Sequence, residues 1–329
     1  MEEITKFGAN AQKYKSIDDL SAAVGHFMSN SMSPATRSAY KTDLKQYLEF
    51  CHRYKLNPLP ASEDTVCKFI ASMALEGMAV ATIQRKMTTI NQLHFAHKET
   101  SPTGSYRVTQ CLLGIKKELG TGQKKAKALM LADLRKICKK AKPNIIGVRD
   151  KAMLLLGWAC AMRRSELVAL DFEDVQIIDE GLVVTIRRSK TDQTGEGYKL
   201  GIPHGQDPSF CPVAAYSDFI RRSKIKSGPL FFAMGANGTK FAVPVEAERH
   251  RLNPRSVNAL LARRLRDAGI DPTGYSGHSL RAGYITEAAK QKIPGYLIQK
   301  HTRHSSQETM KGYIRDADLF NENPLSLLI

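Results

Sequence analysis

A break in helical periodicity at residues 120–128 constrains the fold of this chain most strongly. The stretch reads GTGQKKAKA, with two glycines and three lysines, and it lies between two segments with helical apolar spacing. Glycines and clustered charges interrupt helices, so the stretch predicts a linker. Because 329 residues are about twice the usual length of one domain, we expect two domains, at residues 1–122 and 123–329.

The first part predicts a helical bundle. Ser33 is an N-cap candidate followed by proline at the first helical position, and Ser62 opens the next helix. Apolar residues then recur every three or four positions in four or five segments. Over residues 79–98 this stripe leaves Lys86 and Thr89 on the predicted surface, together with Gln84.

The second part predicts a mixed domain. Helical patterns cover residues 128–140 and 148–161, and the second of these is apolar enough to be buried. Residues 181–186 (GLVVTI) and 198–202 predict the two strands of a β-hairpin, and the chain after Pro254 is mostly helical in pattern. The expected fold class is therefore mainly α with a small antiparallel β-sheet: an N-terminal helical bundle followed by a C-terminal mixed α/β domain.

The charge balance points to a polyanionic partner. The chain has 49 Lys and Arg against 32 Asp and Glu, a net charge of +17. Residues 1–122 hold 15 basic and 11 acidic side chains, whereas residues 123–329 hold 34 and 21. Such an excess is typical of nucleic-acid binding and unusual for a small neutral ligand, so we expect a nucleic acid to be the partner.

Other classes of protein do not fit the sequence. It contains no run of 18 apolar residues, and its start (MEEITKFGAN) lacks the basic and apolar regions of a signal peptide. The six cysteines form no CxxC pair, which disfavours a zinc site or a disulfide framework. We therefore expect no metal, no membrane contact and a location in a reducing compartment, the cytoplasm.

The segment HSLRAG, residues 278–283, carries the sharpest local signal. His278 and Arg281 are three positions apart, so on a helix they lie about 60° apart around the axis. An imidazole and a guanidinium beside a helix N-terminus form a good receptor for a phosphodiester oxygen. The alternative is a chance pair that makes a surface hydrogen bond.

A second arginine site lies in AMRRSEL, residues 161–167, directly after the buried helix. Glu166 follows Arg163 by three residues and offers a carboxylate that could fix its geometry. Of the adjacent Arg163 and Arg164, only one can face inward. An exposed helical Arg–Glu pair is the alternative.

The predicted hairpin is basic. Lys190 follows its first strand and could either protonate a departing alkoxide or contact phosphate. Three further cations of the hairpin are expected to contact DNA phosphates: Arg187, Arg188 and Lys199.

Near the C-terminal end, His304 and Tyr313 are nine residues apart. Nine helical residues rotate by about 900°, which would place the two side chains on opposite faces of one helix. Ser305 and Ser306 could end one helix and cap another, and such a break would let the imidazole and the phenol meet.

The order of these motifs resembles the tyrosine recombinase (phage integrase) family, most closely its Cre-like site-specific recombinases. The resemblance covers roughly residues 30–320 and includes the AKAL linker and the SGHS lead-in to His278. It implies a two-domain, C-shaped clamp around double-stranded DNA, in a protein associated with a bacterial nucleoid or encoded by a phage or plasmid. It also implies a homotetramer on two sites, each expected to be an inverted repeat, and strand exchange through a Holliday junction.

The resemblance also implies roles for single residues. Arg163 and Arg281 would grip the scissile phosphate, with His278 beside them, and Tyr313 would be the nucleophile. Lys190 takes the place of the general acid and Glu166 that of the acidic residue beside the first arginine. His304 stands at a position that is His in many members and Trp in Cre, where it could donate to phosphate or pack.

This chemistry is coherent without a cofactor. A phenol with a pKa near 10 needs a neutralised phosphate and a proton acceptor before it can attack. Exchanging a phosphodiester for a phosphotyrosyl ester keeps the bond energy, so no nucleotide is required. In agreement, the sequence lacks a P-loop motif and a carboxylate cluster typical of two-metal nucleases.

Contacts outside the active site are predicted with less specific signals. Residues 79–98 and 254–268 are candidate major-groove helices. The expected base or phosphate contacts are Gln84, Lys86, Arg255 and Arg263. The apolar tail, residues 319–329, could dock on a neighbouring protomer or on its own domain.

Two other functions share parts of this pattern. A catalytically silent DNA-binding regulator would need the basic surface without a reactive tyrosine. A type IB-like topoisomerase would use the same chemistry without choosing a site. A small-molecule enzyme finds no cofactor motif in the sequence.

Overall fold

The computed structural model describes residues 31–122, 126–187, 197–234 and 250–303. Its contacts group into two compact units, Met1–Lys124 and Lys125–Ile329. The described residues are mostly helical and include a small antiparallel sheet, which confirms the predicted fold class. Within the described ranges, no helix combines the length and the apolar character needed to cross a membrane.

The first unit contains four described helices. They are α1 (Pro34–Arg53), α2 (Glu63–Leu75), α3 (Val80–Ala96) and α4 (Tyr106–Leu119). Ser33 and Ser62 cap the first two helices, as their sequence contexts predict, because each hydroxyl oxygen accepts a backbone N–H three residues later at 3.1 Å. The four helices bury an apolar core between them: Tyr47, Val66, Phe69, Ile70, Ile83, Ile90 and Val108.

Helix α3 corrects one prediction, since Lys86 and Thr89 are buried rather than exposed. The ammonium of Lys86 donates to Gln46 Oε1 at 2.5 Å and lies 5.8 Å from the centre of the Phe69 ring. Helix α1 packs beside this face of α3 as well as beside its apolar stripe. The predicted contact of Lys86 with DNA therefore does not fit its position, whereas Gln84 is exposed.

The second unit begins with α5 (Leu131–Lys139), α6 (Ile145–Ala159) and the short α7 (Arg164–Ala169). Three strands follow in the order β1 (Val175–Ile178), β2 (Gly181–Ile186) and β3 (Tyr198–Pro203), each antiparallel to the next. Val184 stands opposite Val175 on one side and Leu200 on the other. The remaining described helices are α8 (Pro212–Ser223), α9 (Pro254–Asp267), α10 (His278–Lys290) and α11 (Gly295–Thr302).

Helix α6 is the centre of this unit. It is buried on almost every side, as its composition predicts, and it contacts α5, α7, α8 and α10. Its apolar side chains belong to one core with the sheet and with α8 and α9. A helix packed on all sides has little freedom to move, so its C-terminal end is a rigid base for whatever side chains gather there.

A buried ion-pair network fastens α9 to α6. Asp150 is 1% exposed, and its two carboxylate oxygens accept from Arg149 (2.7 and 3.0 Å) and from Arg264 (2.6 and 2.8 Å). Arg149 also donates to the carbonyl of Phe232 at 3.0 Å. Two buried guanidiniums therefore share one carboxylate.

We expect Asp150→Asn to lower the free energy of unfolding by about 3–5 kcal/mol, because buried Arg149 loses its carboxylate partner and buried Arg264 is left with the partly exposed Asp267. Urea unfolding at pH 7 measures the change. Asp218→Asn is the matched control: Asp218 also pairs with two arginines, Arg221 and Arg222, but its side chain is 32% exposed. That substitution should cost at most about 1 kcal/mol, and equal losses in the two variants would contradict the prediction.

Candidate active site

The site is built on the turn that ends α6. Cys160 caps the helix and Ala161 has a positive φ of 46°. The N–H of Ala161 donates to Trp158 O at 3.0 Å and the N–H of Met162 donates to Gly157 O at 2.9 Å, which is the Schellman pattern. The turn leads directly to Arg163, the N-cap of α7.

Arg163 is held by Glu166. Its Nη1 donates to Glu166 Oε1 at 2.7 Å, and its backbone N–H donates to Oε2 at 3.0 Å. Glu166 is buried, the side chain of Arg163 is 17% exposed, and the adjacent Arg164 faces solvent. Of the two neighbouring arginines, Arg163 is thus the one whose guanidinium has a fixed orientation.

Arg281 reaches the same turn from α10. Its side chain is 1% exposed, and its Nη1 donates to Ala161 O at 2.9 Å. His278, the first residue of α10, lies at the surface. Neighbouring atoms displace water from its imidazole, and this desolvation lowers the pKa of the ring. The positive charges of Arg281, Arg163 and Arg164 lower it further. The neutral imidazole, which can accept a proton, is therefore favoured.

Gly283, the glycine of the HSLRAG segment, allows α10 to pack closely against the backbone of Leu129. A Cβ atom on Gly283 would lie 2.0 Å from Leu129 O and 2.8 Å from Trp158 Nε1. Leu129 itself donates through its N–H to Ser279 O at 2.9 Å. The absence of a side chain at Gly283 therefore lets the segment after the linker lie directly on α10.

Two residues of the site were missed by sequence reasoning, His301 and Arg303. His301 Nε2 donates to Ala159 O at 2.7 Å, and Arg303 Nη1 donates to Cys160 O at 3.2 Å. Arg303 Nη2 also donates to Glu166 Oε2 at 3.0 Å. The available signal was the cluster of basic residues at 301–304 (HTRH), in which only His304 matched the spacing to Tyr313.

His301 is enclosed by aromatic rings as well as by its carbonyl partner. It stacks on Tyr284 with ring centres 4.4 Å apart, and Tyr284 meets Trp158 edge to face at 5.5 Å. Burial lowers the pKa of His301, and the charges of Arg303 and Arg281 act in the same direction, against the opposing effect of the bond to Ala159.

The lowered pKa of His301 predicts a loss of stability in acid. The folded state prefers the neutral ring, so this contribution is complete above the ordinary pKa of 6.5 and disappears as the pH falls through the lower folded-state value. We expect the free energy of unfolding to fall less between pH 7.5 and pH 5 in His301→Gln, which can still donate to Ala159 O, than in the unmodified protein. Urea unfolding at both pH values measures the difference, and equal losses would contradict the assignment.

The remaining predicted residues are separated from this cluster or lie outside the described residues. Arg187 is half-exposed, but Asp171 and Asp174 balance its charge and Ala169 O accepts from its Nη2 at 3.1 Å. These two carboxylates disfavour a contact between Arg187 and a phosphate. Lys199 and Arg255 are exposed, and Arg263 is exposed although it lies 3.5 Å from Asp150. The predicted residues outside the described ranges are Arg188, Lys190, His304 and Tyr313.

The described residues show no preformed metal site. Within the described ranges, no three His, Cys, Asp or Glu side chains gather in a way that could hold a metal ion. The donors of the site are guanidiniums and imidazoles, its acceptors are backbone carbonyls and the Glu166 carboxylate, and its positive groups suit an anion.

Comparison with known proteins places the chain among DNA recombinases. Residues 127–319 match the model of the phage integrase family, and residues 26–99 match that of the phage integrase N-terminal SAM-like domain. An integrase/recombinase XerD homologue of Selenomonas ruminantium is 31% identical over 91% of this chain and 86% of the relative. The recombinase Cre of Escherichia phage P1 is 23% identical over 83% of this chain and 84% of the relative.

Solved structures agree on the fold. The recombinase XerH in a post-cleavage complex with palindromic difH DNA has a TM-score of 0.59 at 14% identity, covering 81% of this chain and 72% of XerH. A lambda integrase fragment, solved as a dimer bound to a COC′ core site, has a TM-score of 0.57 at 15% identity, covering 90% of this chain and 94% of the fragment.

Proposed function

The chain belongs to the phage integrase family, the tyrosine recombinases, and from this membership we propose that it is a site-specific DNA recombinase. It cleaves one DNA strand with Tyr313, forms a covalent 3′-phosphotyrosyl intermediate and rejoins the strand to a new partner. Its substrate is double-stranded DNA with a specific site, which we propose to be an inverted repeat. The first unit serves as a DNA-binding clamp and the second as the catalytic unit.

One observation carries this proposal: Arg163 and Arg281 both lie at the turn that ends α6, and His278 precedes Arg281 by about one turn on α10. Arg163 is oriented by Glu166 two residues after the turn, and Arg281 holds the turn itself through Ala161 O. The charges of both arginines act on His278. Two guanidiniums and a neutral imidazole in one place form a receptor for a phosphodiester anion.

These residues supply two requirements of the reaction. As the phenolic oxygen attacks phosphorus in line, negative charge builds on the non-bridging oxygens, and fixed guanidiniums stabilise that charge more in the transition state than in the ground state. The phenolic proton leaves to a base, and the neutral His278 favoured by its surroundings is suited to accept it. Arg163 and Arg281 are thus the charge-stabilising groups and His278 the proton acceptor.

The second half of the step concerns the leaving group. The bond from phosphorus to the 5′ oxygen breaks as the tyrosyl bond forms, and the 5′ oxygen takes a proton. We assign that proton to Lys190, which stands four positions after the end of strand β2 in the sequence. We assign to His304 a hydrogen bond to the scissile phosphate, which Arg163 and Arg281 also contact. Attack by a 5′ hydroxyl from another strand reverses the step, so no nucleotide cofactor is consumed.

We extend the proposal to an assembly. Exchange of strands between two sites requires two cleavages on each duplex, so the active form is a homotetramer that passes through a Holliday junction. The apolar tail, residues 319–329, is assigned to contacts between protomers. The protein acts in the cytoplasm, where its DNA substrate lies.

A trapped intermediate tests the proposal. Duplexes bound by the full chain are selected from a random pool. The winning sequence is rebuilt with a nick just 3′ of the cleavage position, so that cleavage releases a short fragment with a free 5′ hydroxyl, which diffuses away. We expect a covalent protein–DNA adduct on a denaturing gel, and recombinant products from plasmids with two copies of the site. No adduct would indicate a silent DNA-binding regulator, whereas relaxation of any plasmid without recombinants would indicate a topoisomerase.

A further inference from the structure

The last three carbonyls of the α6 turn are all occupied by basic side chains from the C-terminal part of the unit. Ala159 O accepts from His301, Cys160 O from Arg303, and Ala161 O from Arg281 at 2.9 Å and from Arg303 at 3.4 Å. The C-terminal end of a helix carries a partial negative charge that stabilises cations. Arg303 contributes to this cluster without any role so far in the proposed reaction.

Arg303 differs from the other two because it also binds a carboxylate. Its Nη2 donates to Glu166 Oε2 at 3.0 Å, and Arg163 Nη1 donates to the other oxygen, Oε1, at 2.7 Å. The side chain of Arg303 is 6% exposed and that of Glu166 2%. One buried carboxylate is therefore shared between Arg163, which is partly open to solvent, and Arg303, which is not.

The charges of this triad matter for binding an anion. A carboxylate paired with one guanidinium alone would neutralise it, and a neutral Arg163–Glu166 pair would attract a phosphate weakly. With Arg303 on the second oxygen, two positive charges face one negative charge, so Arg163 keeps both its orientation and its attraction for phosphate.

Arg303 also marks the end of α11. It is the C-cap residue of the helix, with a left-handed backbone conformation (φ 58°, ψ 44°). In the sequence it directly precedes His304 and stands ten positions before Tyr313. Its guanidinium thus fastens the start of the nucleophile-bearing segment to the turn that carries Arg163.

We propose that Arg303 is a positioning residue for DNA cleavage, which acts through Glu166 to keep Arg163 oriented and positively charged toward the scissile phosphate. This inference rests on the proposed recombinase function. It predicts a defect in the stabilisation of phosphate charge, whereas a merely structural arginine would lower the stability of the unit without regard to the charge of the substrate.

The test compares two substrates in single-turnover cleavage at saturating DNA. One is the nicked duplex described above, and the other carries a neutral methylphosphonate in place of the scissile phosphate. We expect Arg303→Gln to cleave the phosphate about 10- to 100-fold more slowly than the unmodified protein, the range for losing one charge-assisted contact. The defect should shrink to a few-fold on the methylphosphonate, where no non-bridging oxyanion needs stabilisation.

Arg251→Gln is the matched control. Arg251 also donates to two carbonyls, Val168 O and Leu170 O, and to a carboxylate, that of Asp171, but it does not contact Glu166. We expect a lower midpoint of urea unfolding for this variant and the same small effect on both substrates. Arg303→Lys, which keeps the charge, should recover most of the cleavage lost in Arg303→Gln.

Each result has a distinct meaning. Equal defects of Arg303→Gln on the two substrates, or unchanged cleavage of the phosphate, would overturn the inference while leaving the recombinase function intact. If Arg303→Gln does not fold, Arg303→Lys decides. A cleavage rate on the phosphate within a few-fold of the unmodified protein would support the inference, and a tenfold loss of that rate would overturn it. The unmodified protein failing to form any adduct would instead overturn the proposed function itself.

Discussion

A chain with Tyr313→Phe should form no covalent adduct with the nicked duplex while binding the same duplex as tightly as the unmodified protein. The substitution removes one oxygen and keeps the ring, so the size and shape of the side chain change little. The proposed reaction forms its bond to phosphorus through that oxygen, and a phenyl ring offers no nucleophile in its place. Labelled DNA on a denaturing gel measures the adduct, and retardation on a native gel measures binding.

Tyr296→Phe is the control for this experiment. Tyr296 lies in α11 with 66% of its surface exposed and belongs to no part of the proposed site. We expect it to form the adduct at the rate of the unmodified protein. Adduct formation by Tyr313→Phe at a comparable rate would assign the nucleophile to another residue and remove the central chemical assumption of the proposed function.

The second large effect is expected at Arg281. We expect Arg281→Ala to lower the single-turnover rate of cleavage at saturating DNA by about 10³-fold, the cost of losing a fixed donor to a developing oxyanion. The guanidinium is buried and held on Ala161 O at the end of α6, so its position is fixed before DNA binds. Affinity for DNA should fall far less, because most of it comes from many contacts with other phosphates.

Two further variants separate charge from geometry at this position. Arg281→Lys keeps the positive charge but lacks the planar guanidinium, whose separate nitrogens can hold Ala161 O and a phosphate in a fixed geometry, so we expect it to recover only a small part of the rate. Arg164→Ala removes an exposed arginine beside Arg163 and should change the rate by a few-fold at most. A loss in Arg164→Ala as large as that in Arg281→Ala would indicate that general positive charge, and not the position of Arg281, drives cleavage.

Local features of the fold were predictable because their causes are local. Ser33 and Ser62 each cap a helix with a hydroxyl that reaches a backbone N–H three residues away. The β-branched run at residues 181–186 forms a strand and pairs with a second one, as alternation and turn chemistry indicate. The apolar stretch before Arg163 forms a buried helix.

The predictions that did not fit concern side chains whose surroundings come from distant segments. Lys86 lies on a helix face that the sequence pattern leaves polar, yet α1 covers it and Gln46 Oε1 accepts a hydrogen bond from its ammonium. Arg187 looks like a phosphate contact in a basic hairpin, yet Asp171 and Asp174 neutralise it. In each case a residue from another element decides whether a cation is available to DNA.

The sequence by itself determined most of the elements and the chemistry: which segments form the main helices and the two hairpin strands, though not strand β1, and that arginines, histidines and a late tyrosine suit phosphoryl transfer. Periodicity and capping act over a few residues, so they can be read along the chain. Only the tertiary structure decided that Arg281, His301 and Arg303 meet the last carbonyls of one helix, and that Glu166 lies between two guanidiniums. Those contacts depend on how α6, α10 and α11 pack, which no short stretch of sequence encodes.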